Sequence, residues 1–164
     1  DLTSNNQVSL NGQHVLMLGA GGAARGVLTE LIHCAPASIT IMNRTRSRAE
    51  ALRDDFSAEG VMYVRAMNES GGSCYDLVIN ATSMSLKNED LQLDVALFAA
   101  NFVAYDMMYG PDKTQFVRWA TAAGAAAALD GLGMLVEQAA ESFKLWRGKR
   151  PETKRVIDQI RKSL

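Results

Sequence analysis

Short apolar runs alternate with amphipathic stretches along the whole chain. Residues 14–18 form an apolar run of strand length, and 23–33 follow with Val27, Leu28, Leu31 and Ile32 at helical spacing. After the break at Pro36 the cycle repeats. Residues 39–42 read as a second buried strand and 47–56 as a second helix, with Ala49, Leu52 and Phe56 on its inward side. Further strands are predicted at 61–65, at 75–80 beyond the Gly71-Gly72 loop, at 102–106 and, briefly, at 125–129. A long helix follows over 131–146 with Leu132, Leu135, Val136, Ala139 and Phe143 as its apolar side. A last amphipathic helix begins at Pro151 and contains Val156, Ile157 and Ile160. Strands alternating with helices in this way predict an α/β fold of the Rossmann-like, doubly wound kind, its mainly parallel sheet covered by helices on both faces.

Composition narrows the class. With 164 residues and 48% hydrophobic content, the chain has enough apolar surface for one domain with one core. Seventeen basic and eighteen acidic residues leave a net charge of −1, so no overall basic field points to nucleic acid or to an anionic membrane surface. Cys34 and Cys74 make neither a disulfide framework nor, with His14 and His33, a metal-ligand spacing. No apolar stretch approaches the length of a membrane span, and a cytoplasmic setting is expected. The polar opening, residues 1–12, has no initiating methionine and leads straight into the first strand, which reads as a segment of a longer protein.

The chemistry concentrates where the first two strands end. Gly19, Ala20, Gly21, Gly22 and Ala23 separate the first strand from the first helix, with Ala24 in the third slot of a Gly-x-Gly-x-x-Ala pattern. Glycines there allow a tight turn and let a pyrophosphate reach the amides of a helix N-terminus. After the second strand, a dinucleotide site specific for NAD would place an Asp or Glu against the ribose hydroxyls. This chain has Asn43, Arg44, Thr45, Arg46, Ser47 and Arg48 instead. Guanidinium groups bind a phosphate bidentately where a carboxylate would repel it, so the cofactor expected is NADP. Arg44, at the strand end, is placed to stack its flat guanidinium on adenine. Three arginines at alternate positions also fit an ordinary solvated helix start. Cations are nevertheless disfavoured there by the macrodipole, a conflict that a bound anion relieves.

With these two motifs in place the chain resembles the shikimate dehydrogenases. The likeness runs through Gly19-Ala20-Gly21-Gly22-Ala23, Asn43-Arg44-Thr45-x-Ser47-Arg48, Asn80-Ala81-Thr82-Ser83, Tyr105-Asp106-Met107-Met108-Tyr109 and Asp130-Gly131-Leu132-Gly133-Met134-Leu135. Among related sequences a glycine commonly follows the fourth strand's motif, where this chain has Met84-Ser85-Leu86. The resemblance implies that 19–23 bind pyrophosphate and 43–48 the 2′-phosphate end, that Asn80, Ala81 and Thr82 border the cofactor, and that Met107 and Gly131 lie near the nicotinamide. It implies that Tyr109 and Gln138 reach shikimate or 3-dehydroshikimate across a cleft shared with an N-terminal domain. Read from the residues alone, Tyr109 and Gln138 are ordinary packing and surface positions.

The resemblance also locates what this chain lacks. The lysine and aspartate that handle the substrate's hydroxyl proton belong, in that family, to the N-terminal domain preceding such a segment. No catalytic residue is therefore expected within residues 1–164, which form the NADP-binding domain. Lys87 and Lys113 fall in exposed loops or helix starts, His14 and His33 begin a strand and end a helix, and Asp130 is expected to cap the helix behind it. Cys34, next to His33, is a sequence neighbour that faces elsewhere on a helix. Two other readings stay open: a free-standing NADP-sensing module, and an NAD-dependent dehydrogenase of quinate or shikimate.

Overall fold

The structure is a computed structural model that describes residues 1–69, 74–83 and 93–164. Six parallel strands form one sheet: β1 (His14–Leu18), β2 (Ser38–Met42), β3 (Met62–Arg65), β4 (Tyr75–Asn80), β5 (Phe98–Asp106) and β6 (Ala127–Leu129), in the order β3-β2-β1-β4-β5-β6. The α-helices among the described residues are α1 (Gly22–His33), α2 (Arg46–Phe56), α3 (Gln115–Ala122), α4 (Leu132–Arg147) and α5 (Lys154–Ser163), and a short 3-10 turn, Val95–Leu97, leads into β5. The doubly wound α/β expectation holds. None of these helices is long and apolar enough to cross a membrane.

Successive side chains of a strand point to opposite faces, so a sheet buried on both sides needs apolar residues at every position. In β1, Val15 and Met17 enter one core with Leu28 and Leu31 of α1 and Ala49 and Leu52 of α2, while Leu16 and Leu18 enter the other with Phe102, Phe116 and Ala120. This explains why the strands read as unbroken apolar runs. On the second face Phe98 stacks on Phe102, ring centroids 4.7 Å apart, and meets Trp119 edge-on at 5.7 Å.

Several boundaries differ from the sequence reading. β5 begins at Phe98 rather than 102, because its early residues flank an irregularity in the pairing with β4 between Tyr75 and Leu77. Helix α3, unread in the sequence, is only eight residues long and buries Phe116, Val117 and Ala120. In α4 the buried stripe is Leu132, Gly133, Val136 and Ala140; Leu135 and Phe143 are exposed, so the helix is rotated from the face expected. Pro151 lies three residues ahead of α5, which starts at Lys154 and buries no residue. The Gly71-Gly72 loop, Met84-Ser85-Leu86 and Lys87 lie outside the described residues.

Phe102 is 1% exposed at the centre of the aromatic face. Its replacement by alanine is expected to destabilise the fold by about 3–5 kcal/mol, lowering the melting temperature by on the order of 10 °C. Thermal unfolding followed by circular dichroism checks this; a shift of a degree or less would show that this face is loosely packed.

Candidate functional site

One row of residues along the carboxyl edge of the sheet carries the site. Leu18 pairs with Met42 and with Asn80, Asn80 pairs with Asp106, and Tyr105 pairs with Leu129. One step beyond these pairings, Gly19, Asn43, Ala81, Met107 and Gly131 fall on a common line. The chain leaves β1 towards β2 and β3 and returns on the other side at β4, so a crevice opens between β1 and β4, the usual ligand position in open α/β sheets.

Two kinds of glycine build the crevice. Gly19 has φ +105°, and an added Cβ would stand 3.0 Å from Thr82 Cγ2 and 3.1 Å from the Ala81 carbonyl oxygen, so both backbone and packing demand glycine. Its N–H donates to the Met42 carbonyl at 2.8 Å, and the Ala81 N–H donates to the Leu18 carbonyl at 2.9 Å, tying the three strand ends together. Gly21 and Gly22 are different. Gly21 has φ −96°, open to any residue, and a Cβ on either would meet nothing within 4 Å. What these two glycines keep free is the space before α1, whose first turn has no side-chain cap and no acidic residue. Ala20 is half-buried, Ala23 is exposed, and Ala24 is buried where α1 lies against the sheet. Arg25, one residue on, faces away from the turn, ion-paired to Asp55 and stacked 5.8 Å from the Phe56 ring centroid.

The six residues after β2 divide similarly. Asn43 Nδ2 donates to the Thr45 carbonyl at 2.8 Å and shapes the turn, while Thr45 and Ser47 are exposed at the start of α2, which also lacks a side-chain cap. Arg46 is engaged: its Nε donates to Glu50 Oε1 at 2.8 Å and it lies 3.9 Å from Glu69, contacts that raise its pKa further. Arg44 and Arg48 are exposed, and no ion pair to either is found among the described residues. Two free guanidiniums thus flank an uncapped helix start that carries no acid of its own.

The β4–β5 side is held by a buried polar network. Asn80 and Asp106 are 1% and 0% exposed. Asn80 Nδ2 donates to Asp106 Oδ1 at 3.0 Å, and Asn80 Oδ1 accepts from the Thr82 N–H at 3.1 Å and hydroxyl at 2.6 Å. Asp106 also accepts from the Met108 N–H at 3.1 Å and from the Thr114 hydroxyl at 2.6 Å. A buried carboxylate is tolerable only with such donors. The network fixes Met107, whose N–H donates to the Asn80 carbonyl at 3.0 Å. Asp106 carries no role in the sequence reading, although an acid closing an apolar strand is the signal that marks it.

Gly131 packs directly on this corner: its N–H donates to the Met108 carbonyl at 3.0 Å, and a Cβ would lie 2.6 Å from the Met107 carbonyl carbon. It is the N-cap of α4, the position expected for Asp130. A glycine cannot cap with a side chain, so Asp130 acts from one residue upstream, its Oδ1 accepting from the Leu132 N–H at 3.2 Å. The same carboxylate receives Arg161 of α5 bidentately at 2.5 and 2.6 Å. Met107 and Gln138 share a cleft of about 590 Å³ with Tyr105, Met134 and Leu31. Tyr109 is 38% exposed and lies outside this cleft, and Gln138 is exposed on α4.

Tyr105 is buried, and its hydroxyl donates to Asp1 Oδ2 at 2.5 Å. Desolvation, reinforced by the negative charges of Asp130 and Asp106, raises its pKa far above the ordinary tyrosine value. Among the described residues no group of His, Cys, Asp or Glu is arranged to hold a metal ion.

Residues 1–90 match the family described as shikimate / quinate 5-dehydrogenase, and residues 131–161 match the shikimate 5′-dehydrogenase C-terminal domain. A shikimate dehydrogenase (NADP(+)) of Vibrio cholerae is 51% identical over 158 residues, covering 96% of this chain and 56% of that protein. Among solved structures, an Ael1 enzyme from Pseudomonas putida superposes with a TM-score of 0.87 at 40% identity, over 97% of this chain and 58% of the other. A ligand-free 5-ketofructose reductase of Gluconobacter superposes at 0.80 with 34% identity, over 96% of this chain and 58% of the other. The chain spans a little over half the length of these relatives.

Gly131→Ala is expected to cost about 1–3 kcal/mol, since backbone rather than a flexible side chain must yield; calorimetry checks it, and an unchanged melting temperature would contradict the close approach to Met107. Tyr105 supplies a pH dependence. Its folded-state pKa is raised, so its contribution is complete below the unfolded value of about 10 and is lost as pH rises beyond it. Urea midpoints of wild type and Tyr105→Phe are expected to stay a constant distance apart up to about pH 10 and to converge only above it; curves that stay parallel above about pH 10 would refute the assignment.

Proposed function

The chain belongs to the shikimate / quinate 5-dehydrogenase family, and on that premise we propose that residues 1–164 are the NADP-binding domain of a shikimate dehydrogenase. The complete protein would reversibly reduce 3-dehydroshikimate to shikimate with NADPH, on the route to chorismate and the aromatic amino acids. One observation supports the cofactor above all. Two glycines that neither packing nor backbone requires leave open the uncapped start of α1, along the same sheet edge as two arginines with no ion pair among the described residues. Such a surface fits a pyrophosphate and one additional phosphate.

In this reading Gly19, Ala20, Gly21, Gly22 and Ala23 receive the pyrophosphate. Arg44 and Arg48 take the 2′-phosphate, with Arg44 stacked on adenine. Asn43, Thr45 and Ser47 shape and line that turn, and Arg46, already paired to Glu50, braces it. Asn80, Ala81 and Thr82 form the floor beside Gly19, and Met107 with Gly131 walls the nicotinamide end. Tyr109 and Gln138 face the substrate. The bound cofactor supplies or accepts the hydride at the carbon bearing the 3-hydroxyl; this chain binds and orients, and excludes water from the crevice floor.

Proton handling falls to the other part of the protein. No described side chain on the row from Gly19 to Gly131 offers a free acid or base, since Asp106 and Asp130 are both committed to hydrogen bonds. General acid–base assistance is worth roughly 100- to 10,000-fold, so this chain alone is expected to bind NADP without turnover. The substrate would be shared with that other part.

Calorimetric titration tests the reading. NADP is expected to bind well ahead of NAD, and Arg44→Ala with Arg48→Ala to weaken NADP by about 10- to 100-fold while leaving NAD nearly unchanged. Equal affinities for the two dinucleotides would overturn it and favour an NAD-linked enzyme.

A further inference from the structure

Helix α4 carries Gln138 and begins at Leu132, behind an N-cap, Gly131, that has no side chain to cap it. Its first turn instead meets one neighbouring carboxylate and two groups from distant parts of the chain. Asp130 receives the Leu132 N–H, the Asp1 carboxylate lies against Gly133 so closely that an added Cβ would stand 2.6 Å from Asp1 Cγ, and Tyr105 lines the same cleft as Met134. The Tyr105 hydroxyl then donates to Asp1 at 2.5 Å, closing the knot. Asp1 is itself held: Asn5 Nδ2 donates to its carboxylate at 2.8 Å, the Asn5 and Asn6 N–H groups donate to its carbonyl at 3.0 and 3.2 Å, and Leu2 is buried in the adjoining core.

This knot joins three things that the proposed reaction needs in register. Tyr105 of β5 is two residues before Met107, Gly131 sits on the Met107 backbone, and Gln138 projects from the second turn of the helix whose first turn Asp1, held by Tyr105, packs against. Neither Asp1 nor Tyr105 has a place in the phosphate cradle. We propose that Asp1 and Tyr105 are positioning residues: together they lock the first turns of α4 to β5 and to the chain's opening segment, and so set where Gln138 and the Met107–Gly131 wall stand relative to substrate. The inference rests on the shikimate dehydrogenase reading for its substrate, while the knot itself does not.

The mechanical logic is that of distance. A capped, pinned helix start transmits its pose along a rigid rod, and a displacement of about 1 Å at a substrate contact costs up to about 100-fold. Removing one hydroxyl at the pin therefore acts on substrate placement without touching either ligand.

The test uses the full-length enzyme, with Tyr105→Phe, Asp1→Asn, Gln138→Ala and the Tyr105→Phe/Gln138→Ala double variant. Tyr105→Phe is expected to raise KM for shikimate by about tenfold with NADP affinity unchanged, and to add little once Gln138 is already alanine. Asp1→Asn, which still offers the hydroxyl an acceptor, is expected to give a smaller rise. Amide hydrogen exchange is expected to quicken over residues 132–138 in Tyr105→Phe and to stay at the wild-type rate over 22–28. An unchanged KM, additive effects of the two substitutions, or quickened exchange throughout the fold would each overturn the proposal. A wild-type enzyme that binds NADP but ignores shikimate would refute the functional reading alone, and the exchange pattern would still decide whether the knot holds α4.

Discussion

The corner between β4 and β5 depends on one buried charge. Asp106, with no exposed surface, is tolerable only because an amide, a backbone N–H and a hydroxyl are brought to it from three segments. Satisfying it fixes the end of β4 through Asn80, the turn through Met108 and the start of α3 through Thr114. With those fixed, the Met107 carbonyl has one position, and Gly131 must come down upon it. The placement of α4, of Asp130 and of α5 behind it follows from a requirement set at the end of one strand.

Much of this was legible in the sequence where the cause is local. Unbroken apolar runs announced strands buried on both faces, and the break at Gly19 announced the turn into α1. The six residues from Asn43 to Arg48 were marked by what they lack, an acid after the second strand. What stayed illegible depends on partners far along the chain. Helix α3 is short, and three buried residues cannot distinguish it from a loop before Trp119 is seen packing on Phe98. The apolar residues of α4 pointed to a face including Leu135 and Phe143 beside Leu132 and Val136, but the close approach of Asp1 to Gly133 lies on the face that is buried, with Gly133 and Ala140. Arg46 looked equal to Arg44 and Arg48 until Glu50 and Glu69 were found beside it. The hydroxyl of Tyr105 meets a carboxylate 104 residues away, a relation to which no periodicity points.

The two ends of the sheet edge are built by contrasting means. Around β1 and β2 the backbone does the shaping and leaves donors and guanidiniums free, which suits a multiply charged anion that must be both held and released. Around β5 and β6 almost every polar group is already engaged inside the protein, which suits a wall that must not move. A dinucleotide lying along the edge would meet the open part with its phosphates and the closed part with its nicotinamide.

The glycines of this edge answer to different masters. Gly19 and Gly131 are dictated by the fold, because neighbouring backbone occupies the place of a side chain. Among the described residues nothing dictates Gly21 and Gly22, and an added Cβ there would meet none of them. In evolutionary terms the first pair would answer to selection for folding and the second, if it receives the proposed pyrophosphate, to selection for a ligand. A lineage that gave up its dinucleotide would be free to lose Gly21 and Gly22 while keeping Gly19 and Gly131, so a divergent copy of such a domain records in four positions whether it has remained a nucleotide-binding protein.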